Sequence, residues 1–143
     1  MNKLIWSCAV ASCLGVLSAH AQMNTPQAAT VDPAVAELKA GRDKIAADYK
    51  ADRAACDALK DNAKDVCVEE AKGKEKIAKA QLDQKLMPSD SNARKVAEAK
   101  VEAAYSIAKE KCDDQKGDAK SACVKQAKAD EDKGKAEVKA MKK

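Results

Sequence analysis

The chain has 143 residues, with 27 Lys+Arg against 23 Asp+Glu, six Cys, one Trp, two Tyr and no Phe. That length bounds it to one small domain, and the scarcity of bulky apolar side chains argues against a large core. A multi-span membrane protein is excluded because only the first residues form an apolar run, and a net charge of +4 is too small for a strongly basic nucleic-acid binder.

Residues 1–21 read as an export signal. Lys3 supplies the positive n-region, Leu4 to Ser18 is an apolar h-region, and Ala19-His20-Ala21 fits the small-x-small rule, with cleavage before Gln22. A competing reading takes Val10-Ala11-Ser12-Cys13 as a lipoprotein box that lipidates Cys13. The following Leu14-Gly15-Val16-Leu17 is apolar where a lipoprotein turns polar. Without the leader, residues 22–143 number 122 and carry 26 basic and 23 acidic groups. Leu, Ile, Val and Phe total only 15 of these, a fraction at which disorder competes with folding. Alanine and lysine dominate instead, and both are strong helix formers. The composition predicts a chain that is strongly helical and poor at packing.

Residues 22–33 read as a flexible N-terminal arm. After it, apolar residues at Val35, Leu38, Ile45, Tyr49, Cys56 and Leu59 follow the 3-4 alternation of a helix, interrupted by Arg42 and Asp52. The pattern predicts four helices over roughly 34–60, 63–86, 92–116 and 119–140. Asp61-Asn62 and Gly117-Asp118 are turn dipeptides, and Asn62 and Asp118 are candidate N-caps for the helices that follow. The helices pair into a hairpin over 34–86 and a second over 93–143 with a basic tail. Residues 87–92 join them, because Pro88 cannot continue a helix.

The second hairpin repeats the first at a spacing of 56 residues, with 13 identities in 32 between 49–80 and 105–136. Tyr49 matches Tyr105, Asp57 matches Asp113, Lys64 matches Lys120, and Cys56 and Cys67 match Cys112 and Cys123. On one unbroken helix, residues 11 apart stand about 16.5 Å apart, whereas a disulfide needs Cα atoms within about 7 Å. Each C-x10-C pair therefore closes only if the chain turns back between its members. Four cysteines allow three connectivities. One staple per hairpin closes each repeat on itself; bonds between the repeats remain the alternative. The expected fold is all-α: two tandem αα-hairpins, each closed by a C-x10-C disulfide, packed as a loose four-helix bundle.

The Tyr-x6-Cys-x10-Cys-Val-x2-Ala-Lys pattern covers both repeats and so most of residues 22–143. It resembles small exported Ala/Lys-rich proteins of Gram-negative bacteria, described as TolA-like or as cell-envelope biogenesis proteins. The resemblance implies an envelope role. TolA-type proteins keep an N-terminal membrane helix and end in a globular domain, and this sequence shows neither pattern.

No catalytic constellation is visible beyond the leader. The only His, His20, lies within it, which removes the usual general base and metal ligand. There is no C-x-x-C, and x10 spacing is far from that of a zinc knuckle. We expect no enzyme activity, no metal and no cofactor. Glu70/Lys74, Glu75/Lys79 and Glu131/Lys135 have helix-supporting spacing. Tyr49 and Tyr105 are expected to pack on the returning helix near Gly73 and Ala129. The one local basic excess, Lys135, Lys139, Lys142 and Lys143, is a candidate contact for anionic lipid headgroups or peptidoglycan. The expected function is that of a non-enzymatic periplasmic structural or binding protein of the envelope, partnered by such components or by other envelope proteins. It has no membrane span after processing and binds no nucleic acid. The alternatives are a chaperone-like holdase and a lipoprotein anchored through Cys13.

Overall fold

The structure, a computed structural model, describes residues 32–141. The export signal with Ala19, Ala21 and Gln22, the Cys13 alternative, most of the arm, and Lys142 and Lys143 lie outside the described residues.

Four helices follow in order: α1 Pro33–Ala55, α2 Asp61–Leu86, α3 Asp90–Cys112 and α4 Gly117–Ala140. The Asp32 side chain accepts a hydrogen bond from the Ala34 amide at 2.9 Å, and Pro33 occupies the first turn, where its missing N–H costs nothing. α1 then tightens into one 3₁₀ turn over Cys56–Ala58, so it ends before the expected residue 60. Ser89 caps α3 by accepting from the Asn92 amide at 3.1 Å. That cap starts α3 two residues before the expected position and shortens the connection between the hairpins.

The expected caps at Asn62 and Asp118 are corrected. The N-cap positions are Lys60 and Lys116, both extended at φ −130° and neither capping through its side chain. The next residue takes a left-handed conformation in each copy, Asp61 at φ 49° and Gly117 at φ 57°. This step turns the chain sharply enough for the helix to begin one residue before Asn62 or Asp118. Glycine adopts it freely, whereas aspartate is strained there. Asn62, freed from capping, donates from Nδ2 to the Glu110 carbonyl of α3 at 3.0 Å.

Both disulfides form within hairpins. Cys56 joins Cys67 and Cys112 joins Cys123, each with Cα atoms 5.6 Å apart. Beside each staple the same ion pair recurs: Lys64 to Asp57 at 2.9 Å and Lys120 to Asp113 at 2.8 Å. Two of the sequence identities thereby acquire a physical reason.

The helices stack in chain order, α1 on α2, α2 on α3 and α3 on α4, and the broadest interface is the central one between the hairpins. The backbone of α1 approaches neither α3 nor α4, so the bundle is open, a row of four helices. Its buried apolar side chains are small: Ala71, Ala99, Ala103 and Ala127, with Val138 and the fully buried Cys56 and Cys112. Val35 and Leu59, at the ends of the α1 stripe, are 57% and 41% exposed. Gly73 faces α3, where a Cβ would stand 2.9 Å from that of Ala103. Its role is close approach of α2 to α3, which corrects its expected role as a seat for Tyr49. Tyr49 lies instead beside Ala71, Lys74 and Ala78 of α2. Tyr105 lies beside Ala127 and Glu131 of α4, with Ala129 exposed.

Each staple closes so short a loop that the chain-entropy account assigns it about 3 kcal/mol. We predict that Cys67→Ser and Cys123→Ser each lower the unfolding free energy, read from urea titration, by that order and that the pair together abolishes cooperative melting by circular dichroism; unchanged midpoints would show that the alanine interfaces suffice. At the turns, Gly117→Ala should cost about 1 kcal/mol and Asp61→Gly should stabilise by a similar or smaller amount, read in the same titration.

Candidate functional site

The repeat identities that lie away from the turns gather at the middle of each hairpin. Tyr49, Lys72, Glu75 and Lys79 correspond to Tyr105, Lys128, Glu131 and Lys135. In the second hairpin, Glu131 is buried to 8% exposure between two cations, Lys128 at 2.8 Å and Lys135 at 2.6 Å. The Lys128 ammonium also lies 5.8 Å from the centre of the Tyr105 ring and 2.9 Å from Asp132. In the first hairpin, Glu75 holds Lys79 at 2.6 Å, while Lys72 turns to Glu69 at 2.6 Å. The acid is thus singly paired in one copy and doubly paired in the other.

This pairing sets the electrostatics. Hydrogen bonds from Lys128 and then Lys135 hold the Glu131 carboxyl below its ordinary range. Hydrogen bonds to Glu131 and Asp132 push the Lys128 ammonium above the usual lysine range. Lys64 lowers Asp57 in the same way at the first staple.

Of the helix pairs read from spacing, Glu75–Lys79 and Glu131–Lys135 form. Glu70 and Lys74 separate to serve neighbouring helices, Glu70 receiving Lys111 of α3 at 3.3 Å and Lys74 reaching Asp52 of α1 at 3.1 Å. Lys76 pairs with Glu102, a further α2–α3 link, and Arg42 and Lys85 tie α1 to α2 through Asp83 and Glu37. Such cross-helix pairs depend on the packing register and carry no local sequence signal.

A polar groove of about 390 Å³ runs across α2, α3 and α4, lined by Lys72, Lys76, Glu102, Tyr105, Glu131 and Lys135. Its charges alternate in sign and are already paired. Next to it, Lys135 and Lys139 share a hollow with Glu98, Glu102 and Val138. The described part of the basic C-terminal run therefore sits among acids. Among the described residues, no three His, Cys, Asp or Glu side chains gather closely enough to hold a metal ion. No helix among them is long and apolar enough to cross a membrane.

These features define an all-α protein made of a duplicated, disulfide-stapled helical hairpin. No family model matches the chain, and no curated protein or solved structure shows significant similarity to it. The two formed disulfides belong to an oxidising, non-cytoplasmic environment.

A carboxylate whose pKa is lowered on folding stabilises the fold above its ordinary value, and that contribution is lost as pH falls through the lowered value. We predict that the melting temperature declines on acidification below about pH 4 and that Glu131→Gln lowers the neutral-pH melt and flattens this acid limb. An acid limb of unchanged slope in Glu131→Gln would place the titrating group elsewhere. The raised Lys128 acts in the opposite direction: its contribution is complete below the ordinary lysine value and lost only as pH rises beyond it.

Proposed function

We propose that this chain is a non-enzymatic structural or binding protein of the cell envelope, exported to the periplasm. The observation that carries the reading is the paired staple. Helices with alanine interfaces are held in place by bonds that require an oxidising compartment. The leader pattern over residues 1–21 supports export. The open row exposes broad helix faces with closely spaced charges of both signs, suited to contact with polyanionic or zwitterionic envelope surfaces. Lys139, in the last turn of α4, is exposed and at the end of the chain where Lys142 and Lys143 follow. In this reading the hairpins are a scaffold and the helix faces are the functional surface.

The purified chain is expected to pellet with isolated peptidoglycan or with vesicles containing phosphatidylglycerol, and to be released by high salt. Lys139→Glu combined with Lys142→Glu and Lys143→Glu should weaken this pelleting without altering the melt. A chain that stays in the supernatant with both materials, yet suppresses aggregation of an unfolded client, would favour the holdase alternative.

A further inference from the structure

The staples are copies, but the helices they fasten differ in what else holds them. α1 buries none of its own side chains; Cys56, in the 3₁₀ turn beyond it, is the residue that is buried. Apart from the staple, α1 meets α2 through the half-buried Leu38, Ile45 and Tyr49 and through three ion pairs whose cations are exposed, Arg42–Asp83, Lys85–Glu37 and Lys74–Asp52. Exposed pairs of this kind contribute little. α4, in contrast, buries Ala127, Glu131 and Val138 and sets Lys128 over the Tyr105 ring of α3.

The turns differ in the same direction. The first reverses through Asp61 at φ 49°, a conformation strained for a residue with a side chain, and the second through Gly117 at φ 57°, which glycine adopts freely. Opening the first hairpin relieves strain, and opening the second relieves none. Reduction also adds a contact in the first. The buried Cys56 Sγ lies 3.2 Å from the Asp52 carbonyl oxygen, to which a disulfide sulfur has no hydrogen to donate and a thiol has one.

We propose that Cys56–Cys67 is a redox-labile bond whose reduction releases α1 while α2, α3 and α4 stay assembled around Cys112–Cys123. The reductant is a dithiol. Its thiolate attacks Sγ of Cys67, the half-buried partner, because Cys56 is fully buried. Cys56 leaves as a thiolate and takes a proton. The reductant's second thiol then displaces Cys67 from the mixed disulfide, losing its proton as Cys67 gains one. Two electrons pass to the protein, and the dithiol departs as a disulfide. With α1 weakly docked, the two thiols separate and the reduced form is favoured. In the second hairpin the docked α4 keeps its thiols together, and closure is favoured. Release bares the α2 face around Ala71, Ala78 and Leu82 and parts Lys74, Asp83 and Lys85 from their α1 partners. α2 remains on α3 through Gly73 against Ala103 and the pairs Glu70–Lys111 and Lys76–Glu102. This regulation does not depend on what the helix faces bind.

The test equilibrates the full, oxidised chain with mixtures of reduced and oxidised dithiothreitol, alkylates free thiols with iodoacetamide and maps them by mass spectrometry. Cys56 and Cys67 are expected to be half reduced at a reduced-to-oxidised ratio about tenfold or more below that for Cys112 and Cys123. Asp61→Gly, which removes the strain at the first turn, should raise the first ratio by about fivefold. In the full chain carrying Cys56→Ser with Cys67→Ser, amide hydrogen exchange over residues 34–55 should quicken by about tenfold or more, with α2, α3 and α4 retaining their protection. Equal ratios, earlier reduction of Cys112–Cys123 or an unmoved ratio in Asp61→Gly would overturn the proposal. So would a Cys56→Ser/Cys67→Ser chain in which α1 stays protected, or one in which α2, α3 and α4 lose protection as well. Pelleting with peptidoglycan or vesicles, measured separately on the oxidised chain, reports on the envelope reading alone.

Discussion

Everything in this fold depends on bringing two cysteines, eleven residues apart, to a Cα separation of 5.6 Å. No helix can do this without reversing. The reversal is built the same way twice, from a tightened helix end, an extended lysine and one residue in a left-handed conformation. The ion pairs Asp57–Lys64 and Asp113–Lys120 bridge the same turns from outside. The bond matters because little else resists opening. A buried alanine removes far less apolar surface from water than a buried leucine, and alanines make up half of the buried side chains here. By restricting the unfolded chain, the staple lowers the stabilisation that helix packing must provide.

Small interfaces also set the architecture. Where Gly73 meets Ala103, the backbones of α2 and α3 come close enough for flanking charges to reach across. Glu70 receives Lys111, Lys76 pairs with Glu102, and Asn62 reaches the Glu110 carbonyl. The central interface is therefore polar at its margins. A pairwise stack of this kind needs no shared centre, and the row stays open, with α1 apart from α4. In this it resembles a repeat array, in which each unit contacts only its neighbours.

The turns, the helix periods and the staples were legible in the sequence because each is local. A C-x10-C pair centred on Asp61-Asn62 or Gly117-Asp118 admits few geometries. The details that escaped are those decided by long-range contact. Asn62 has the chemistry of a cap, but an acceptor on α3 holds it. Gly73 looked like space for Tyr49, yet the side it turns outward is fixed by the second hairpin. Lys74 and Glu70 are spaced to pair along one helix, but each has a neighbouring helix to serve. The duplicated Tyr, Lys, Glu and Lys were visible as identities. The burial of Glu131 between two lysines was not, because a burial difference between copies depends on packing that sequence identity conceals.

Duplication also shows how the helix faces have diverged. At the central interface, Gly73 shares its helix face with Val66, seven residues before it, and Ile77, four after it, and it approaches Ile107 of α3. One repeat onward, the matching positions on α4 are Ala122, Ala129 and Lys133, and all three are exposed. One repeat back from Ile107, α1 presents exposed Ala51. At Ala122, Lys133 and Ala51, alanine or lysine stands where the central interface has a branched side chain, on faces that meet water. The same exchange separates two kinds of position in this sequence. Residues at the turns and in the central quartet keep their identity because both copies need them to close. Residues on the helix faces diverge according to what each face meets, whether a neighbouring hairpin, water, or a groove spanned by an ion pair in one copy and left open in the other.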